Sequence, residues 1–212
     1  MNVLQLTDCG VKAAMRHEAL AGKTRIGRGS YSAVYDNGET VLKLSADMAH
    51  YEMLKFYADG YTALPTMCKD YFDVGEQVKF GGIVLYLFEV ERLTKMKAGT
   101  AEYRLAKCMC NRAANLMETK TPVFERNKDK IGMERIVPET FYQMSEDATL
   151  PVEIREALGQ LGRFSMDYEG IGMDFHMGNF MIRPSTGQLV LSDPVMSINI
   201  INKAYQALAA QY

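Results

Sequence analysis

The sequence lacks tryptophan altogether and has only three histidines in 212 residues, whereas methionine occurs fifteen times. Methionine side chains are flexible and fill irregular interior spaces. We therefore expect an adaptable hydrophobic core and no function that depends on methionine itself.

Long apolar runs are also missing, and we expect no leader segment. No run approaches the roughly 18 apolar residues of a membrane-spanning helix, and the start, MNVLQLTDCG, has neither the basic part nor the long apolar part of a signal peptide. The cysteines lack the spacing and partners of a zinc site, so we expect reduced thiols in a cytoplasmic protein without membrane association. They are Cys9, Cys68, Cys108 and Cys110.

A large net charge is absent as well. The formal value of −2 at pH 7 argues against a general nucleic-acid-binding protein, and we expect no direct nucleic-acid binding. The charge is nevertheless uneven, since eleven lysines and arginines but only five aspartates and glutamates lie between Arg92 and Arg135. This segment is either a solvated helix face with a polar loop or a surface for an acidic partner or substrate.

The hydrophobic share of 48% and the charged share of 24% are typical of a globular protein with one domain or two packed lobes.

Strand-like segments dominate the first part of the chain. Residues 24–45 alternate β-branched and polar residues around Asn37 and Gly38, which is a strong hairpin signal. Residues 66–74 and 79–90 predict two more strands.

Helical patterns follow the hairpin and then dominate. Three segments have helical character: residues 45–60, 100–120 and 150–170. Ser45 and Thr100 are the expected N-caps of the first two. The lysine-rich residues 120–137 predict an exposed loop, and residues 179–183 and 189–193 predict a short hairpin. The pattern indicates an α+β protein in two lobes.

One ordered set of residues points to phosphoryl transfer, which requires backbone donors over the phosphates, a cation, metal-holding groups and a carboxylate near the attacking hydroxyl. In IGRGSYSAVY, Gly27 and Gly29 lie in the predicted hairpin and would let the backbone approach phosphates closely. Ser32 stands where a third glycine would complete the loop. The alternative is a structural hairpin that happens to contain glycines.

The cation of the set would be Lys43, in the middle of an apolar strand where lysine is rarely buried without a partner. An exposed strand lysine is the alternative. Glu52, on the helix that follows, could hold Lys43 as an ion pair, or it could be a solvent-facing carboxylate.

The acidic part of the set lies in DFHMGNFMIRPSTGQLVLSDPV, residues 174–195. Asp174 precedes Asn179 by five residues, and Asp193 follows the short hairpin. A small number of hard oxygen ligands suits Mg²⁺. Turn capping is the alternative for each aspartate, but it does not explain the three residues as a set. His176 either organises the loop or touches the γ-phosphate.

These motifs resemble those of the eukaryotic-like protein kinase superfamily over residues 24–198. The motifs are G-x-G-x-x-S-x-V from Gly27, V-L-K ending at Lys43, D-x-x-x-x-N from Asp174 and D-P-V from Asp193. The D-x-H-x-G-N loop and the D-P-V motif are nearest to the compact serine/threonine kinases of T7-like bacteriophages.

The resemblance implies a protein-kinase-like two-lobed α+β fold, with an N-lobe at residues 1–93 and a reduced helical C-lobe at residues 94–212. It implies ATP and Mg²⁺ as cofactors. The implied activity is phosphorylation of host bacterial proteins, such as transcription or RNA-processing machinery, and of the kinase itself, in the host cytoplasm.

The resemblance also implies a role for each site residue. Asp174 would be the base with His176 beside it, Asn179 and Asp193 would hold Mg²⁺, and Lys43, paired with Glu52, would contact the α- and β-phosphates. The rest of the nucleotide site would be Gly27, Gly29, Ser30, Ser32 and Val34, with adenine on the backbone of Glu89, Val90 and Glu91.

Two departures from cellular kinases leave other functions open. Nineteen residues follow Asp193, so we expect no full activation segment and no large helical C-lobe, and Met173 replaces the arginine that precedes the base in many kinases. The alternatives are a small-molecule phosphotransferase and a kinase-like binding module that inhibits a host factor without needing catalysis.

Overall fold

Five antiparallel strands form the largest sheet of the structure, a computed structural model that describes residues 3–127 and 132–209. The strands are β1 Arg25–Arg28, β2 Ser32–Asn37, β3 Thr40–Ser45, β4 Met67–Gln77 and β5 Ile83–Glu91. Their order in the sheet is β1-β2-β3-β5-β4. The predicted hairpin is confirmed, since Asn37 lies opposite Thr40 and Gly38 has a φ of 75°, which glycine adopts without steric cost.

The chain divides into two units. The first consists of Met1–Lys55, Thr66–Arg92 and Ser197–Tyr212, and the second of Phe56–Pro65 and Leu93–Met196. Helices and antiparallel strands occur in both units, which agrees with the expected α+β class.

One face of the five-stranded sheet carries the main core of the first unit. Alternate strand residues such as Leu42, Leu44 and Leu87 enter this core. Helices α1 (Cys9–Ala14) and α6 (Ile198–Ala209) contribute further buried side chains to it. The C-terminal helix of the described chain therefore packs with the same sheet as the N-terminal segment.

The opposite face of the sheet packs against α2 (Met48–Phe56), where the rings of Tyr51 and Tyr86 stack with their centroids 4.3 Å apart. The prediction of Ser45 as the N-cap of this helix is wrong. The carboxylate of Asp47 accepts the backbone N–H of the second helical residue at 3.0 Å, and the hydroxyl of Ser45 accepts the N–H of Asp47. The capping residue is therefore Asp47, two positions later than predicted.

In the described part of the second unit there are three α-helices, one 3₁₀ helix (Met177–Asn179) and several short strands. The α-helices and strands are β6 Thr94–Lys95, α3 Ala101–Asn127, α4 Gly132–Ser145, α5 Val152–Asp167, β7 Ile171–Met173, β8 Phe180–Ile182, β9 Leu189–Leu191 and β10 Val195–Ser197, whose last residue belongs to the first unit. Helix α4 packs against both α3 and α5. The predicted hairpin of β8 and β9 is confirmed, with Phe180 opposite Leu191.

The prediction of an exposed loop at residues 120–137 is wrong for the described part. Helix α3 continues to Asn127, and α4 begins at Gly132 and includes Pro138 in its interior; residues 128–131 lie outside the described ranges. Polar composition was the basis for predicting a loop, but a long solvated helix has the same composition. Within residues 3–127 and 132–209, no helix is both long and apolar enough to cross a bilayer.

The N-terminal segment is fastened to the sheet by the carboxylate of Asp8. It accepts backbone N–H groups from Gly10 and Val11 at the start of α1 and from Val78 and Lys79 beyond β4, at 2.7–3.2 Å. Burial raises the pKa of Asp8, but the four N–H donors outweigh it and lower the pKa below its ordinary value of 3.8.

This carboxylate gives a prediction for the pH dependence of stability. A depressed folded-state pKa adds stability above pH 3.8 that is lost as the pH falls through the folded-state value. We expect Asp8→Asn to lower the free energy of unfolding at pH 7 by about 1–2 kcal/mol, because the NH₂ group of the amide would face a backbone N–H donor where a carboxylate oxygen now accepts. Urea unfolding at several pH values should show this difference shrinking below pH 4. A difference that is constant from pH 7 to pH 3 would contradict the assignment.

Candidate functional site

Three of the predicted phosphate-binding residues of the first unit form one row across three strands. Gly27 of β1 lies opposite Val34 of β2, and Val34 lies opposite Lys43 of β3. Residues directly opposite each other in antiparallel strands share a face of the sheet. A Cβ at position 27 would lie 3.5 Å from the Cβ of Val34, in line with this arrangement. The structure thus brings Gly27, Val34 and Lys43 together.

The tip of the glycine hairpin is tied by backbone hydrogen bonds. Gly29 donates its N–H to the carbonyl of Ser32 at 2.8 Å, and the carbonyl of Ser30 accepts the N–H groups of Val3 and Leu4 at 2.8 and 3.0 Å. Ser30 is exposed, whereas Ser32 is buried. The N-terminal segment therefore holds the tip of the hairpin, which the sequence did not reveal.

Lys43 is buried against α2 and contacts a histidine. Its Nζ lies 2.8 Å from Nδ1 of His50, and the two residues are 8% and 2% exposed. The ring of His50 also packs edge-on against Phe88, which lies opposite Lys43 in the sheet. Sequence reasoning missed His50; the signal was a polar residue among the apolar positions of α2.

Glu52 lies two residues beyond His50 on α2 and is half-buried. Burial raises the pKa of the Tyr86 phenol, and the negative charge of Glu52 raises it further, which places Glu52 near Tyr86. The ion pair between Glu52 and Lys43 stays a prediction.

The predicted adenine contact at Glu89, Val90 and Glu91 stays a prediction. All three residues lie within β5. Each has a partner in β3, and Glu89 and Val90 also have partners in β4, while Glu91 donates its N–H to the carbonyl of Thr66. The backbone groups of a central strand are used in its two ladders. The first residue after β5 is Arg92.

In the second unit, backbone hydrogen bonds bring the predicted base and metal ligands into one loop system. Asp174 donates its N–H to the carbonyl of Pro194 at 2.9 Å, and Ser192 donates to the carbonyl of Asn179 at 2.8 Å. Asp193 lies between Ser192 and Pro194, the two residues of its segment that make these hydrogen bonds. The backbone of Asp174, Asn179 and Asp193 therefore lies in one loop system, and their shared metal site stays a prediction.

The side-chain amide of Asn179 has a fixed orientation. Its Nδ2 donates to the backbone carbonyl of Asp174 at 2.8 Å, and a carbonyl cannot donate a hydrogen bond, so Oδ1 must be the other amide atom. This oxygen and the carboxylate of Asp193 are hard ligands of the kind that Mg²⁺ prefers. Among the described residues, no group of three or more His, Cys, Asp and Glu side chains could hold a metal.

His176 supports the loop that carries Asp174. Its Nδ1 accepts the N–H of Gly178 at 3.1 Å, and its Nε2 lies 3.8 Å from Oδ1 of Asp174, beyond hydrogen-bond distance. Phe175 lies between Asp174 and His176 in the sequence. Its ring packs edge-on against Phe141 of α4 and Phe180 of β8. Phe175 anchors the loop, and the sequence analysis did not identify it.

Some of the arginines between residues 92 and 135 make contacts within the protein itself. Arg92 pairs with Asp36 and Arg112 with Asp147. Arg104 donates to the carbonyl of Gly99. These contacts favour the interpretation of a solvated, internally paired surface for this part of the segment.

Comparisons with protein-family models, with curated proteins and with solved structures each found no match to this chain. Any functional assignment therefore rests on the residues and contacts described above.

Proposed function

We propose that this protein is an ATP-dependent serine/threonine protein kinase of the compact phage type, with host bacterial proteins and the kinase itself as substrates. The loop system of the second unit is the observation that supports this most. Asp174, Asn179 and the residues on either side of Asp193 are joined by three hydrogen bonds. Unrelated turn-capping residues would not require this connection.

Each site residue would have a separate role in an in-line transfer of the γ-phosphoryl group. The substrate hydroxyl oxygen bonds to the γ-phosphorus, the bond from that phosphorus to the β,γ-bridging oxygen breaks, and ADP leaves. Asp174 would accept the hydroxyl proton. Asn179 and Asp193 would hold Mg²⁺, which neutralises phosphate charge when bound. Lys43 would bind phosphate oxygens, beside the backbone of Gly27.

The direct test is intact-protein mass spectrometry after incubation with Mg·ATP, alone and with a bacterial lysate. Wild type should add phosphoryl groups to itself or to lysate proteins. Asp193→Asn should lower this by roughly 10²- to 10³-fold, because it would weaken the binding of the Mg²⁺ that stabilises charge in the transition state. Asp59→Asn, at an exposed position of the second unit, is the matched control and should behave as wild type.

Two results would count against the proposal. If all three proteins bind ATP in calorimetry but transfer no phosphate, the chain is a kinase-like binding module. If Asp193→Asn transfers phosphate as fast as wild type, Asp193 has no role in metal binding.

A further inference from the structure

We infer that His50 is a positioning residue for Lys43: neutral imidazole accepts a hydrogen bond from the ammonium group and holds it where an ATP phosphate would bind. The inference rests on the proposed function for its purpose. The contact itself, 2.8 Å between Lys43 Nζ and His50 Nδ1, is independent of it.

Burial makes this contact energetically important. A lysine has four rotatable carbon–carbon bonds and loses considerable entropy when its end is fixed. Both partners are nearly inaccessible to water, with exposures of 8% and 2%, so loss of the histidine acceptor would not be compensated by solvent. Phe88 supports the imidazole from the strand opposite Lys43, which limits the orientations that the ring can adopt.

The chemistry of the two groups fixes the direction of the hydrogen bond. A lysine ammonium has donors and no acceptor, and an imidazole nitrogen accepts only when it carries no proton. In the inferred contact the proton of His50 therefore lies on Nε2, and the lone pair of Nδ1 is directed at the ammonium group of Lys43.

A neutral acceptor has a functional advantage for an anion site. A carboxylate in the same place would offset the lysine charge, whereas imidazole satisfies an N–H donor and leaves the charge unchanged. His50 therefore fixes the position of the ammonium without weakening its attraction for phosphate. Lys43 lies next to Val34, and Val34 lies next to Gly27, so the fixed charge belongs to the predicted phosphate row.

Two substitutions separate the acceptor from the shape of the side chain. His50→Asn places an amide oxygen close to the position of Nδ1, whereas His50→Leu fills the space without an acceptor. We expect His50→Leu to raise KM for ATP and the Kd for Mg·ATP roughly 10- to 100-fold, the effect of losing a hydrogen bond to a charged group. His50→Asn should stay within about 3-fold of wild type. Equal effects of the two variants would overturn the inference.

A double-mutant cycle tests whether His50 acts through Lys43. Once Lys43→Met has removed the ammonium group, adding His50→Leu should weaken Mg·ATP binding by less than about 2-fold further. A histidine that merely supports the fold would weaken binding as much in the Lys43→Met protein as in wild type. That result would also overturn the inference.

Nitrogen-15 NMR of the histidines gives a readout that needs no activity and no His50→Leu protein. The chain has three histidines, and the signals that disappear in His50→Asn belong to His50. Wild type should show an unprotonated Nδ1 on His50, and Lys43→Met should shift that resonance while those of His17 and His176 stay unchanged. A proton on Nδ1, or no shift in Lys43→Met, would contradict the contact.

If NMR confirms the contact but wild type transfers no phosphate, the proposed kinase function fails. Unchanged Mg·ATP binding in His50→Leu would then overturn the positioning role.

Discussion

Replacement of Asp174 by asparagine is expected to lower kcat for phosphoryl transfer by about 10²- to 10⁴-fold, the usual contribution of a general base. Asparagine has the same size, so the bond from the backbone N–H of residue 174 to the carbonyl of Pro194 should persist. KM for ATP should change little, because the amide removes a proton acceptor and not a phosphate ligand. Initial rates with radiolabelled ATP and a generic acceptor such as casein measure both constants.

The matched control for this variant lies in the same loop. In His176→Asn the amide oxygen can replace Nδ1 as the acceptor for the N–H of Gly178, a bond of 3.1 Å in the structure. If His176 only supports the loop, kcat should fall by less than about 10-fold. A loss as large as that of Asp174→Asn in a folded protein would show that His176 acts on the reacting groups, and loop support would be the wrong interpretation.

Elements determined by short-range chemistry were predictable from the sequence. Asn37 and Gly38 form the turn between β2 and β3 because this dipeptide readily adopts the required backbone angles. Thr100 caps α3 as predicted, and its hydroxyl accepts the N–H of Tyr103 at 3.2 Å. The short connections between Asp174, Asn179 and Asp193 likewise predicted that their backbone is close, which agrees with the hydrogen bonds from Asp174 to Pro194 and from Ser192 to Asn179. Their roles stay a prediction.

Contacts that depend on packing between elements could not be predicted in this way. Whether a residue of α2 meets Lys43 depends on the rotation and position of the helix on the sheet, which periodicity does not specify. The sequence offered Glu52 as a partner of Lys43, a pairing that stays a prediction, and the structure adds His50 beside the lysine. The partners of Glu89 and Val90 in β3 and β4 likewise became visible only in the sheet.

Replacement of Gly10 by alanine is expected to lower the free energy of unfolding by about 3 kcal/mol or more. A Cβ at this position of α1 would lie 1.8 Å from the carbonyl oxygen of Glu76 in β4, and real Cβ contacts essentially never fall below 3.0 Å. The overlap is with backbone, so no side-chain rotation relieves it. Helix α1 would have to move away from β4 by more than about 1 Å.

Such a movement would also damage the hydrogen bonds of Asp8, because one carboxylate joins the start of α1 to the backbone of Val78 and Lys79. Gly159→Ala in α5 is the opposite case. The nearest atoms to its added Cβ are those of Ser145 at 3.9 Å, so the variant should gain about 0.5–1 kcal/mol from the helix preference of alanine. Urea unfolding followed by circular dichroism should move the midpoint down for Gly10→Ala and up for Gly159→Ala. A wild-type midpoint for Gly10→Ala would mean that α1 does not approach β4 through the backbone of residue 10.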